Sequence, residues 1–164
     1  MTAQPVRRQA VVRGEAPWWL LPSAEVALSG PAGAELRELG RAGAPVKAAR
    51  DFTAATLDGW GLTELSADAR LVVSELVTNA MRHAGEPGGL RLFHRSSHLV
   101  CAVFDPAERP PVMSDTDDFA ESGRGLWLVD NLCSSWGWHL LDGHGKLVWA
   151  CLLAPYVTRH RTPA

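Results

Sequence analysis

Residues 66–85 read SADARLVVSELVTNAMRHAG. Ser66 is a helix N-cap and Gly85 a terminator, so the pattern predicts a helix from Ala67 to about His83. Ala69, Val72, Val73, Leu76 and Ala80 recur at the helical period and form its apolar stripe. Glu75 and Asn79 are four residues apart, so they lie on one face, one turn from each other, and Arg82 continues that line. Spacing alone reads more readily as the solvated side of an amphipathic helix. Asparagine is a poor residue for a helix interior, however, so something should compensate it. A carboxylate beside a carboxamide is oxygen chemistry, suited to a hard cation such as Mg2+ and to a hydroxyl or water awaiting deprotonation.

Upstream of this helix, Pro45 suits a helix N1 position, and Ala48, Phe52 and Ala55 recur at helical spacing from Val46 to Asp58, where Gly59 ends the run. Residues 1–44 are punctuated by proline and glycine and predict an extension that is partly disordered or docked, with Ala34–Arg41 as its helix candidate. Within it, Trp18 and Trp19 are expected to dock on the domain or on a partner.

Downstream, Leu90–Arg95 and His98–Asp105 read as a β-hairpin turning at Ser96-Ser97, the second strand apolar on both faces and so central. A long acidic loop, 106–122, follows; such loops are usually functional or disordered. Gly123-Arg124-Gly125 opens a third helix, Leu126 to about Ser134. Trp136–Leu140 and Leu147–Leu153 make a second hairpin. The order α-α-β-β-loop-α-β-β predicts an α/β (α+β) two-layer sandwich, with a mostly antiparallel mixed sheet and helices on one face. The organisation expected is an extension over 1–44, a domain over 45–155 and a basic tail over 156–164.

Composition bounds the function. The chain has 164 residues, enough for one domain with an extension. A formal net charge of −2 argues against direct nucleic-acid binding by bulk charge. No apolar run approaches the ~18 residues of a membrane span, and no signal-peptide pattern is present. Cys101, Cys133 and Cys151 each sit in an apolar run and read as buried free thiols, which fits a reducing cytoplasm. The histidines show no spacing for a zinc site.

Two further elements carry chemistry. Glycines at the start of a helix let the backbone approach a ligand, and its free N–H groups and positive dipole end suit phosphate, although a plain turn explains two glycines as well. Asp105 closes an apolar strand just before the long loop, a position where a lone aspartate often forms a turn or caps a helix.

A helix carrying E-x-x-x-N, a strand ending in Asp, a long lid and a Gly-x-Gly helix start together resemble the nucleotide-binding (Bergerat) fold of gyrase, histidine kinases and MutL. Within that group, residues 45–155 resemble the small bacterial anti-sigma-factor serine kinases, in their actinobacterial stand-alone branch. The stretches LVVSELVTNAMRHAG, FDPAERPP, ESGRGLWLVDNL, SSWGW and GKLVWACL carry the likeness, collinearly. The resemblance implies ATP and Mg2+ as cofactors, with Asn79 coordinating the metal and Glu75 acting as general base on a partner's serine. It implies Asp105 as acceptor for the adenine amino group, which favours ATP over GTP. It places the phosphates on the backbone of Gly123, Arg124, Gly125 and Leu126, with Arg82 and His83 near phosphate or lid.

The implied partners are an anti-sigma antagonist and a sigma factor, with a homodimer as the family's habit. Nothing before residue 45 resembles the dimerisation helix of a histidine kinase. The chain also departs from the pattern. Pro106, Ala107, Glu108 and Arg109 follow Asp105 where the family usually has glycines, and Leu147 stands where it often has a threonine expected to serve the adenine side. A catalytically weak or inactive ATP-binding interaction module is therefore the alternative to a kinase.

Overall fold

The computed structural model describes residues 9–17, 19–20, 33–36, 39, 43–84, 87–95, 97–109, 124–141 and 145–154. Among the described residues six strands form one sheet: β1 (Gln9–Arg13), β2 (Gly33–Leu36), β3 (Leu90–Arg95), β4 (His98–Asp105), β5 (Ser135–Leu141) and β6 (Gly145–Leu153). The spatial order is β1-β5-β6-β4-β3-β2. Every neighbouring pair is antiparallel. The helices α1 (Pro45–Gly59), α2 (Ser66–Ala84) and α3 (Arg124–Leu132) cover one face. The result is the two-layer α+β arrangement that the element order predicts.

Helix α1 starts on Pro45, whose missing N–H has no intrahelical partner to lose there. Its buried positions are Ala49, Thr53 and Leu57, whereas Ala55 is exposed. Ala48 and Phe52 of the expected stripe are half-buried and pack against the core, but the fully buried line lies beside them. Thr53 hid it by reading as polar. Its hydroxyl donates to the Ala49 carbonyl at 2.7 Å, which satisfies the group in an apolar setting. Helix α2 buries all five expected residues, Ala69, Val72, Val73, Leu76 and Ala80, and Val77 beside them.

The helix-side core joins Leu57, Val73, Leu76, Leu126 and Val129 to Leu90, Leu92, Cys101, Val103, Trp136 and Val148 from the strands. Burying that much apolar surface, at roughly 25 cal/mol per Å2, is what holds the helices down.

The N-terminal segment belongs to the sheet at both edges. β1 pairs with β5 from Gln9↔His139 to Arg13↔Trp136, with a register shift between Val11 and Arg13. β2 pairs with β3 from Gly33↔Phe93 to Leu36↔Leu90. The helix expected over Ala34–Arg41 is therefore corrected: its first residues form a strand. So short a helix is marginal by itself, and the unpaired backbone of β3 supplies hydrogen bonds that override local propensity. Between the two strands, Trp19 and Leu20 are buried against Val100, Ala102, Leu147, Trp149 and Cys151 on the face away from the helices. Trp19 meets Phe93 edge-on at 6.3 Å, and the Arg95 guanidinium lies 5.8 Å from its ring. Trp18 and the tail over 156–164 lie outside the described residues.

Trp136, Trp138 and Trp149 are buried as the closing hairpin predicts. Trp127 is not: it is 57% exposed on α3, because Leu126 and Val129 set the buried side of that short helix. No helix among the described residues is long and apolar enough to cross a membrane.

Candidate functional site

Helix α2 packs across β4 and against α3, so α2, the end of β4 and the start of α3 belong to one side of the sheet. Glu75 and Asn79 are half-buried on α2 and Arg82 is exposed. Burial pushes the Glu75 carboxyl above its usual range, and the nearby Arg82 guanidinium opposes that rise. A carboxylate whose proton affinity is raised while it keeps access to solvent is a competent proton acceptor.

Helix α3 begins at Arg124, so the backbone of Gly125 and Leu126 belongs to its first turn, whose N–H groups have no intrahelical partners. Leu126 itself is buried and anchors that turn against the helix-side core. Gly123, and the side chains of His83 and Arg124, lie outside the described residues, as does the loop over 110–123.

Asp105 ends β4 with its side chain fully buried and facing the helix side. Its Oδ1 accepts from the Ala107 backbone N–H at 2.8 Å, the tight local turn that an aspartate readily forms. Its Oδ2 accepts from the Lys146 ammonium at 2.9 Å. Lys146 is 1% exposed and also donates to the Ala107 carbonyl at 2.9 Å. The two residues are cross-strand partners, Asp105↔Lys146, at the end of the β4–β6 ladder. Gly145 makes the close approach possible: its φ is +84°, and a Cβ there would strike the Asp105 carbonyl oxygen. A buried ion pair of this kind holds only while both partners remain, since removing one strands a charge.

Sequence reasoning missed Lys146. The signal was present, because a lysine inside the apolar run Leu147–Leu153 and its flank needs a buried acid. The position singled out instead, Leu147, packs with Trp19, Trp149 and Val100 on the opposite face. A threonine at 147 would point away from Asp105, so the expectation that this position serves the same site is corrected by strand alternation.

The donor set fits a nucleotide with a hard cation. Asn79 offers one amide oxygen, Glu75 one carboxylate, and no group of three or more His, Cys, Asp or Glu among the described residues could hold a metal alone. A cation here would draw its remaining ligands from phosphate and water, the usual habit of Mg2+. All three cysteines are buried free thiols, as their apolar runs predict.

Residues 42–152 match the family model of a histidine kinase-like ATPase domain. That span takes in α1, α2, α3, β3, β4, β5 and all but the last residue of β6, and leaves β1 and β2 outside. No curated protein matches the chain.

Proposed function

The chain belongs to the histidine kinase-like ATPase family, and from that premise we propose that it is an ATP-dependent serine kinase of the anti-sigma-factor type. Membership implies an ATP-binding domain. The finer reading adds that γ-phosphate passes to a serine of an anti-sigma antagonist and that the protein sequesters a sigma factor, in the cytoplasm.

The observation that carries it is the Glu75–Asn79 face of α2, with a half-buried carboxylate held above its usual proton affinity one turn from a carboxamide. In this reading Asn79 holds Mg2+ through its side-chain oxygen. When bound, the cation neutralises charge on the phosphates. Glu75 accepts the proton from the attacking serine Oγ, the Oγ–phosphorus bond forms, and ADP leaves with the bridging oxygen. The free amides at the start of α3 orient the phosphate oxygens. Phosphoryl transfer asks chiefly for positioning and charge neutralisation, so this small set is enough.

The test is transfer of labelled phosphate from ATP to a serine-bearing antagonist. Transfer in the wild type and a loss on the order of 100-fold or more in Glu75→Ala are expected for a general base. Full transfer in Glu75→Ala overturns the role of Glu75.

A second reading, an ATP-binding interaction module without turnover, draws support from Asp105, whose two oxygens already have partners in Ala107 and Lys146. Calorimetric titration of wild type and Asn79→Ala with Mg-ATP shows whether the site binds nucleotide, and the transfer assay run beside it separates the readings. Binding without any phosphorylated product favours the module.

A further inference from the structure

Asp130 joins three elements. Its Oδ1 accepts from the Trp136 indole N–H of β5 at 3.0 Å, and its Oδ2 accepts from the Arg13 guanidinium of β1 at 3.0 Å. Trp136 is buried, whereas the Arg13 side chain is 51% exposed. Arg13 comes from outside the matched span 42–152, and Asp130 and Trp136 lie inside it. Two features of β1 bring Arg13 to α3. The register shift between Val11 and Arg13 sets Arg13 opposite Trp136, a helix-side residue. Gly14 then turns at φ +67°, and its backbone lies so close to the link from α3 to β5 that a Cβ there would strike the Ser134 carbonyl oxygen.

What Asp130 governs is the seating of α3. Leu126, Val129 and Cys133 hold one side of that helix against the core. Asp130 stands about 100° round the helix axis from Val129. A helix held along one side can roll, and a second hold beside the first stops it. Asp130 is five residues from Gly125, so its hold reaches the first turn through a short stretch of rigid helix.

We propose that Arg13 and Asp130 are positioning residues through which the N-terminal segment carrying β1, Trp19 and Leu20 regulates nucleotide binding. Docked, the segment fixes α3 and the N–H groups of its first turn; lifted, it lets α3 shift, and affinity falls. The inference rests on the nucleotide-binding reading above and adds a regulator to that same site. The docked state is lightly held. An ion pair this exposed contributes little to stability. The Trp149 indole N–H, in the cluster closed by Trp19 and Leu20, has no hydrogen-bond partner among the described residues, and an unsatisfied buried donor favours any state in which it regains water. Linkage makes the effect reciprocal, so bound nucleotide holds the segment down by the factor that docking adds to affinity.

The experiment is calorimetric titration of the full chain with Mg-ATP, beside urea unfolding of each variant. Arg13→Gln is expected to weaken binding roughly 5-fold or more, the lower end of couplings between sites, with the urea midpoint unchanged. The pair is made through Nη1 alone, so a point charge can replace it, and Arg13→Lys is expected to restore wild-type affinity. Asp130→Asn keeps an acceptor for Trp136 and loses the ion pair. Combined with Arg13→Gln, it is expected to weaken binding no further than either alone. In the wild type, Mg-ATP is expected to slow amide hydrogen exchange in β1.

Arg13→Gln that binds Mg-ATP like the wild type, or β1 exchange indifferent to Mg-ATP, overturns the proposal while leaving ATP binding intact. So does a loss of affinity that Arg13→Lys fails to restore, or one that follows a fall in the urea midpoint, since either marks a merely structural role. A chain that binds no nucleotide at all sinks the nucleotide-binding reading and this inference together.

Discussion

On the helix side of the sheet, Cys101, Val103, Val148 and Ala150 lie under α1, α2 and α3. On the other side, Val100, Ala102, Leu147 and Trp149 lie under Trp19 and Leu20 of an N-terminal segment. The two covers differ in kind. The helices bring long apolar stripes with their own hydrogen bonds, whereas the segment brings two large side chains held in place by strands at the sheet edges. The buried polar chemistry differs as well. The helix side holds the Asp105–Lys146 pair with both members bonded. The other side leaves the Trp149 indole N–H buried without a partner, at a cost of about 1–3 kcal/mol for an unsatisfied group. Buried polar side chains occur on both faces, Thr53, Asp105 and Lys146 towards the helices and Arg91, Ser135 and His139 away from them, so the contrast lies chiefly in how each face is covered.

The largest expected effect sits on the helix side. Lys146→Met leaves the Asp105 carboxylate buried and uncompensated and is expected to cost about 3–5 kcal/mol. Asp105→Asn in the same chain should restore much of that. Urea unfolding reads both. A Lys146→Met loss below about 1 kcal/mol would mean that water reaches the pair.

Next is the segment itself. Trp19→Ala is expected to cost less than the roughly 3–5 kcal/mol of a core tryptophan such as Trp136, because local undocking of the segment caps the loss. Equal losses at Trp19 and Trp136 would erase the contrast between the two covers.

Thiol chemistry sharpens the contrast without a core substitution. Cys101 and Cys151 are both buried and both pushed upward in proton affinity, chiefly by burial. Removing residues 1–20 is expected to speed labelling of Cys151 on the outer face while Cys101 stays protected. Equal protection of both after truncation would show that Trp19 and Leu20 are not the outer cover.

Two smaller effects depend on pH. The Cys133 thiol is pushed from 9.0 up to about 12, mainly by burial. Between those values the unfolded chain loses this proton and the native chain keeps it. Stability is therefore full below pH 9 and falls as pH rises towards 12, and denaturant midpoints across that window check it. Glu75 is also raised by burial, so its contribution is fully present below the ordinary carboxyl range and is lost as pH rises through its folded value. Glu75→Gln should accordingly be neutral or slightly stabilising at pH 7, and no different from wild type in acid.

Much of the helix side was legible in the sequence. Helix α2 declared itself through a stripe carried by good helix formers, and β3, β4 and β6 through dense apolar runs bounded by turn residues. Asp105 and the Gly125 helix start could be placed because each sits at the end of an element, where periodicity stops. What stayed hidden depends on partners distant in the chain. The strand at Gly33–Leu36 exists because β3 has a free edge, which four residues of their own cannot express. Thr53 was left out of the α1 stripe because it is polar in composition and satisfied in context. Lys146 became visible only once β4 and β6 had a register. The cover provided by Trp19 could be posed as docking, but the surface it meets is assembled from three strands.

The pairing of β1 with β5 sets an order of events. Gln9–Arg13 leaves the ribosome before the other described strands, and more than a hundred residues before its partner Ser135–Leu141. During synthesis the first strand therefore waits unpaired while the helices and the β3–β4 hairpin form from neighbouring residues. Closure of that edge is then a late event, coupled to Arg13 reaching Asp130 on α3 at 3.0 Å. A nascent chain paused before residue 135 would lack β5 and β6 together, leaving both β1 and β4 without the strands they pair with.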